Sequence, residues 1–511
     1  MKRMQVVVAM SGIGKRFLDA GYVDPKPLID VAGRTIIERL LDQFPRDWKF
    51  VFICNEEHLS KTRLREVLLQ ASPEATIVSI APHKKGPGYA VVQAGGEIDD
   101  ELPTIVNYCD FSFRWDPEAF RSFAEKSRCD GAVVCYRGFH PHYLGRTMYA
   151  YCREEGGRIA EIREKECFTD DRTQEFASSG TYYFASGLLA KQYCKAAIER
   201  DIQLNGEYYI SLVYNPMIAD GRDIRVYEIP YFLQWGTPED LEDYLYWHRT
   251  FDFLKRWRPP IRAGGPRLVM PMAGLGSRFG DGYPPKPMIP VDGKPMFLYA
   301  GDFLPVGGRP AVYVVRREIE RDVRSAAPGS DFVILDAPTE GQALTTAEAL
   351  AELKPTDPVL VSACDHGLIY DDSKWRQLQG RGPDLIVVGQ RGYPGARRTP
   401  KSYAYILVGP QERITGVSVK RPVSDRPNRD LVLVGTFYFR TAALMGDLIK
   451  ELKDKDLRVN GELYLDSVVE LAVERGLDCR AFESDAYLNW GSPDALKEYT
   501  YWRTYFAGEK A

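Results

Sequence analysis

Two short segments of this chain carry the same chemistry-bearing residues in the same order. The first reads SGIGKRF followed by PKP, the second AGLGSRF followed by PKP. Gly12, Gly14 and Arg16 in the first segment correspond to Gly274, Gly276 and Arg278 in the second. Glycines after a strand let backbone N–H groups approach phosphate oxygens, and an arginine beside them can fork onto a polyphosphate as lysine cannot. A strand-to-helix turn uses glycine for its geometry alone, so one such segment would say little. No GKS or GKT follows, which excludes a P-loop, and no third glycine completes a dinucleotide fingerprint. Lys26 and Lys286 each stand between two prolines. Taken singly, either reads as a solvated surface charge; present in both segments, they suit a point charge aimed at a phosphoryl group in transfer.

Other candidates lie further along. Asp110 in VNYCDF and Asp365 in VSACDH each end an apolar run, where ligands collect in open α/β sheets. An acid there could make an Asx-turn or cap a helix; occurring twice, it favours a Mg2+ ligand, since Mg2+ takes one or two carboxylates plus phosphate oxygens and water. Lys165 and Lys420 follow a polar-apolar alternation and read either as exposed strand residues or as a second phosphate contact. Glu207 and Glu462, in NGEYY and NGELY, read either as turn ends or as substrate contacts. Trp235 and Trp490 precede GTPEDL and GSPDAL, which reads as a core tryptophan beside a helix N-cap at Thr237 or Ser492.

These pairs share one numerical relation. The glycine and arginine pairs are offset by 262, the PKP pairs by 260, and everything from Gly86/Gly341 onward by 255, including Gly180/Gly435 and Asn205/Asn460. A constant offset over so long a stretch marks a tandem duplication. Pro259, Pro260, Gly264, Gly265 and Pro266 mark a linker, so domains are expected at 1–262 and 263–511. In each copy the glycine segment follows a short apolar run. TIIERLLDQF then places Ile36, Ile37, Leu40, Leu41 and Phe44 on one helical face. Strand runs at Phe50–Cys54, Thr76–Ile80 and Thr104–Tyr108 alternate with helical stretches near 60–70 and 89–97. Copy two repeats this at 267–270, 311–315, 332–335 and 358–362, which predicts parallel, doubly wound α/β domains.

The 511 residues are 44% hydrophobic and 27% charged, ample for two large cores. Lys plus Arg numbers 67 against 71 Asp plus Glu, a balance of −4 that gives no reason to expect nucleic acid or an anionic membrane as partner. The N-terminal apolar run is too short to span a bilayer and reads as a buried strand. Nine cysteines without a CxxC pair are expected as reduced thiols in a cytoplasmic protein.

The order GxGxRF, PKP, a run ending in Asp, (E)K, a GTYYF or GTFYF strand, NGE and WGTPEDL resembles the sugar-1-phosphate nucleotidyltransferases, in particular the branch of capsule and surface-polysaccharide clusters. The resemblance covers roughly 1–250 and 266–506. It implies two Rossmann-like GT-A-type nucleotide-diphospho-sugar transferase domains in tandem. By that resemblance Gly12, Gly14, Arg16, Gly274, Gly276 and Arg278 would hold the NTP phosphates, and Lys26 and Lys286 the reacting phosphates. Asp110 and Asp365 would hold Mg2+, and Lys165 and Lys420 the second substrate's phosphate. Gly86, Gly341 and Gln342 would lie in the base-binding loop, and Gly180, Gly435, Glu207 and Glu462 on the substrate side. The implied partners are an NTP and a sugar-1-phosphate or similar phosphate ester, with homo-oligomerisation open. Two departures stand out. Gln234 and Asn489 occupy the place where many relatives have a second metal-binding aspartate, and HKKGPGYA in copy one replaces the PTEGQALT of copy two. Three alternatives remain: a cytidylyltransferase for a non-sugar phosphate, one catalytic domain with one regulatory domain, and a GT-A glycosyltransferase. The last lacks a DxD-like metal site.

Overall fold

The computed structural model describes residues 3–145, 148–259 and 264–508. Their contacts divide into two compact units between Leu245 and Tyr246. The boundary expected near residue 262 lies outside the described residues.

In the first unit the apolar strand Gln5–Met10 is the centre of a parallel block. It pairs with Lys49–Asn55 on one side and Thr104–Tyr108 on the other, and Thr76–Ile80 adds to the outer edge. Side-chain alternation sends Val6 and Val8 to one face, with Ile37, Leu40 and Leu68, and Val7 to the other, with Ala90, Val91 and Val213. The amphipathic stretch at 35–44 forms helix Ile36–Leu41, started by a capping box in which Thr35 and Glu38 satisfy each other's backbone N–H groups.

Beyond Thr104–Tyr108 the sheet changes sense. Strand Phe176–Phe184 returns antiparallel beside it and also pairs antiparallel with Gly131–Tyr136 and Ala150–Glu155. The sheet is therefore mixed: the doubly wound parallel arrangement describes its first part alone. At the fork the register of Phe176–Phe184 slips between Ser178 and Thr181, where Gly180 adopts φ +91°. That bulge bends the strand over the carboxyl end of the parallel block.

The second unit repeats this order. Asp331–Leu335, Val312–Arg316, Arg267–Pro271 and Val359–Ser362 form the parallel block, and Leu431–Phe439 returns antiparallel. Each unit also has a small two-stranded antiparallel sheet: Phe111–Arg114 with Tyr231–Gln234, and His366–Ile369 with Ala486–Asn489. Helix Pro238–Arg256 runs across the division. From Tyr246 onward its side chains serve the second unit: the Tyr246 hydroxyl donates to the Tyr487 carbonyl at 2.8 Å and Trp247 Nε1 donates to Glu498 at 3.1 Å.

Candidate active site

The small two-stranded sheets explain why Asp110 and Asp365 meet residues more than a hundred positions away. Pairing sets Gln234 opposite Phe111 and Asn489 opposite His366. The next backbone N–H groups, of Trp235 and Trp490, then donate to the Asp110 and Asp365 carbonyls at 2.9 and 2.8 Å. Both indoles are buried, and Thr237 and Ser492 cap the helices that follow, as expected.

Lys26 and Lys286 point at these aspartates. Lys26 Nζ lies 2.5 Å from Asp110 Oδ2, and Lys286 Nζ lies 2.5 Å from Asp365 Oδ2. In each unit the second loop glycine lies over the lysine stem: a Cβ on Gly14 would sit 3.7 Å from Lys26 Cβ, and one on Gly276 would sit 3.0 Å from Lys286 Cβ. Both glycines have positive φ, +72° and +65°, whereas space is open around Gly12 and Gly274. The PKP lysine is thus tucked beneath the glycine loop beside an acid, and not a free loop charge. Burial pushes the Asp365 carboxyl up, but the Lys286 ammonium and the His366 ring together outweigh it and hold the group well below the usual carboxylate range. Arg278 donates to the Gly491 carbonyl at 3.3 Å, while Arg16 is exposed and acts on Tyr209 electrostatically. Gly274, Gly276, Lys286 and Arg316 line a cleft of about 330 Å³.

Lys165 and Lys420 end their strands in the left-handed region, at φ +59° and +57°, a conformation that costs energy without glycine and clusters at functional sites. Lys165 Nζ donates to the Tyr209 hydroxyl at 2.7 Å, and Lys420 Nζ lies 5.4 Å from the centre of the Tyr464 ring. Glu207 and Glu462 close tight turns by paired backbone bonds with Leu204 and Val459. Asn205-Gly206 and Asn460-Gly461 supply the two positive φ values that such turns require. Their carboxylates interact with Tyr209 and Tyr464, so turn and lysine belong to one cluster.

Gly86 and Gly341 have a structural requirement of their own. Gly88 N–H donates to Tyr208 O and Tyr208 N–H to Lys85 O, which straps this loop onto the NGE turn; Ala343, Leu463 and Glu340 do the same in the second unit. A Cβ on Gly341 would lie 2.5 Å from the Leu463 backbone. Gln342 begins the helix that follows. Gly180 is likewise required by its bulge, with a Cβ there 2.7 Å from Phe111.

Among the described residues no three His, Cys, Asp or Glu side chains converge as a metal site. One carboxylate per unit still fits Mg2+ if triphosphate oxygens and water supply the other ligands. Gln234 lies beside Asp110: a Cβ on Gly236 would be 2.6 Å from its Nε2 and 3.0 Å from Asp110 Oδ2. Asn489 is already engaged, accepting from Gly491 N–H at 2.8 Å and donating to the Tyr393 hydroxyl at 3.1 Å. All nine cysteines are free, and no described helix is long and apolar enough to cross a membrane.

Sequence reasoning missed Tyr209, Tyr464 and Asp466. The tyrosines were visible as a further pair at offset 255; Asp466 was not, because its counterpart is Ser211. Burial pushes the Asp466 carboxyl up to about 6 against the opposing pull of Lys420. A carboxyl raised above its unfolded value favours the folded state below about pH 4 and loses that contribution as pH rises through 6. Asp466→Asn should therefore stabilise the protein at pH 7, by at most about 3 kcal/mol, and leave it unchanged at pH 4. Urea midpoints at the two pH values check this; equal shifts at both would show that the carboxyl is not so perturbed.

This is an α/β nucleotidyltransferase scaffold in duplicate order, and the chain belongs to the family of MobA-like NTP transferase domains, whose profile matches residues 6–170 and 269–409. Among curated proteins it is similar to the bifunctional protein GlmU of Cupriavidus necator, 28% identical over 43% of this chain and 45% of that protein. It therefore spans about half the length of the curated relatives it matches. Among solved structures it is similar to a nucleoside-diphosphate-sugar pyrophosphorylase from Vibrio cholerae, with 20% identity, coverage of 47% of this chain and 99% of that one, and a TM-score of 0.39. The inositol-1-phosphate CTP transferase from T. maritima is another, with 18% identity, coverage of 48% and 100%, and a TM-score of 0.37.

Proposed function

We propose that each unit joins an NTP to a sugar-1-phosphate or similar phosphate ester and releases pyrophosphate, and that the chain arose by tandem duplication of one such domain. The carrying observation is the lysine-aspartate pair beneath a glycine loop, built identically in both units. An oxygen of the acceptor phosphate attacks the α-phosphorus in line, the bond to the β-phosphate oxygen breaks, and pyrophosphate departs. The acceptor is already an anion, so no strong base is needed and the work is positioning and charge neutralisation. Backbone N–H groups of the loops at Gly12–Gly14 and Gly274–Gly276, with Arg16 and Arg278, would hold the polyphosphate. Lys26 and Lys286 would neutralise the transferred group, and Lys165 and Lys420 the acceptor phosphate. Asp110 and Asp365 would hold Mg2+, which when bound adds positive charge to the phosphate oxygens. A cytoplasmic enzyme of surface-polysaccharide assembly fits this chemistry.

The base-side loops differ between units. His83 Nε2 lies 3.1 Å from Ser11 Oγ and Lys85 covers the Tyr89 ring, whereas Glu340 pairs with Arg458 and Gln342 offers an amide to a base edge. This supports different nucleotide preferences for the two sites.

Pyrophosphate should appear only when NTP, phosphate ester and Mg2+ are all present, and calorimetry should show Mg2+ binding with NTP but not to the protein alone. Liberation of a nucleoside diphosphate from a nucleotide sugar would replace this reading with glycosyl transfer.

A further inference from the structure

The acceptor side of the two units is furnished differently, at positions related by the constant offset of 255. A Cβ built on Gly180 lies 2.7 Å from Phe111 and 3.2 Å from Tyr108, so two aromatic rings roof the bulge of the first unit. Tyr108 is held in place there, its hydroxyl accepting from Ile210 N–H at 3.2 Å. In the second unit Ala363 and His366 replace these rings. The atoms nearest a Cβ on Gly435 are His366 Cε1 at 3.7 Å and Ala363 Cβ at 3.8 Å. His366 is drawn inward, its Nε2 2.8 Å from Thr436 Oγ1. The space over this bulge is correspondingly larger.

The acid beside the acceptor lysine also changes origin. Glu164 Oε2 accepts from Ser211 Oγ at 2.6 Å, which shows that strand position 164 and helix position 211 face each other. Their counterparts are Val419 and Asp466. Each unit thus keeps one carboxylate at this contact, from the strand in the first and from the helix in the second. Both carboxylates interact electrostatically with their lysine, Lys165 or Lys420. In the second unit the strand side of the contact is apolar, with Val419 and Ala363 where the first has Glu164 and Tyr108.

From these exchanges we infer that the second unit takes a bulkier phosphate ester than the first, with an apolar part against Ala363 and Val419 and a hydroxyl held by Asp466. The inference rests on the nucleotidyl-transfer reading and adds to it the acceptor class of each site. A half-buried acid that accepts a hydroxyl hydrogen bond discriminates against acceptors lacking it, while a filled or vacated pocket sets the size limit.

The test uses the full chain with one unit silenced, by Lys26→Ala or by Lys286→Ala. Pyrophosphate release is measured with an NTP, Mg2+ and three esters of increasing bulk: glycerol phosphate, a hexose-1-phosphate and an N-acetylhexosamine-1-phosphate. The second unit should accept a larger ester than the first. Ala363→Tyr should raise the acceptor KM for that ester about tenfold or more and leave the KM for NTP unchanged. Asp466→Asn should raise the acceptor KM likewise. Tyr108→Ala, which only removes atoms, should open the first unit to the larger ester, and it carries the test should Ala363→Tyr fail to fold. Equal size limits in the two units, or unchanged acceptor KM values in folded variants, would overturn the inference while leaving nucleotidyl transfer intact. Absence of pyrophosphate release with every ester from the unsubstituted chain would overturn both.

Discussion

Alanine at Lys286 is expected to lower second-unit turnover by about 10²- to 10³-fold, the usual effect of removing one preorganised charge contact from a transition state. The ammonium lies 2.5 Å from Asp365 with its side chain only 22% exposed, so it is directed at the site and not at solvent. That same pairing gives the substitution a structural cost, because a stranded Asp365 carboxylate is left half-buried. A loss of about 1–3 kcal/mol is expected from the unpaired group. Lys286→Ala combined with Asp365→Asn removes the stranded charge and should recover stability without recovering turnover. The measurement is single-turnover pyrophosphate release in a Lys26→Ala background, with urea midpoints alongside. Unchanged turnover in the folded variant would reduce the lysine to a structural partner of the aspartate.

Arg398→Ala is expected to destabilise the second unit by about 3–5 kcal/mol, the cost of leaving a buried charge without its partner. Glu498 is 1% exposed and is gripped by both terminal nitrogens of Arg398, at 2.9 and 2.6 Å, and by Trp247 Nε1 at 3.1 Å. The loss should appear as a lower urea midpoint of the second unit. Arg398→Ala with Glu498→Leu should restore part of it, since neither charge then remains buried. An unchanged midpoint for Arg398→Ala would show that this ion pair does not hold the second unit together.

Much of this protein was legible in its sequence. The offset of 255 related the two halves and selected Asp110/Asp365, Lys165/Lys420 and Trp235/Trp490 as corresponding positions, because the same residues recur in the same order in each. Short apolar runs and one helical pattern located Gln5–Met10, Thr104–Tyr108 and Ile36–Leu41, since local burial decides those elements. Other features were set only when the chain folded back on itself. The antiparallel return of Phe176–Phe184 depends on pairing with a strand some seventy residues earlier, which no local pattern encodes. The ion pairs Lys26–Asp110 and Lys286–Asp365 join residues 84 and 79 positions apart through that topology. The division of helix Pro238–Arg256 between units is likewise tertiary: the helix is continuous in sequence, and only its partners, Tyr487 and Glu498 from the far end of the chain, assign Tyr246 and Trp247 to the second core. The carboxylate exchange of Glu164/Ser211 for Val419/Asp466 was invisible for the same reason. Comparison position by position gives two mismatches, whereas the Ser211–Glu164 contact between helix and strand shows that the two positions face each other, with one acid between them in each unit.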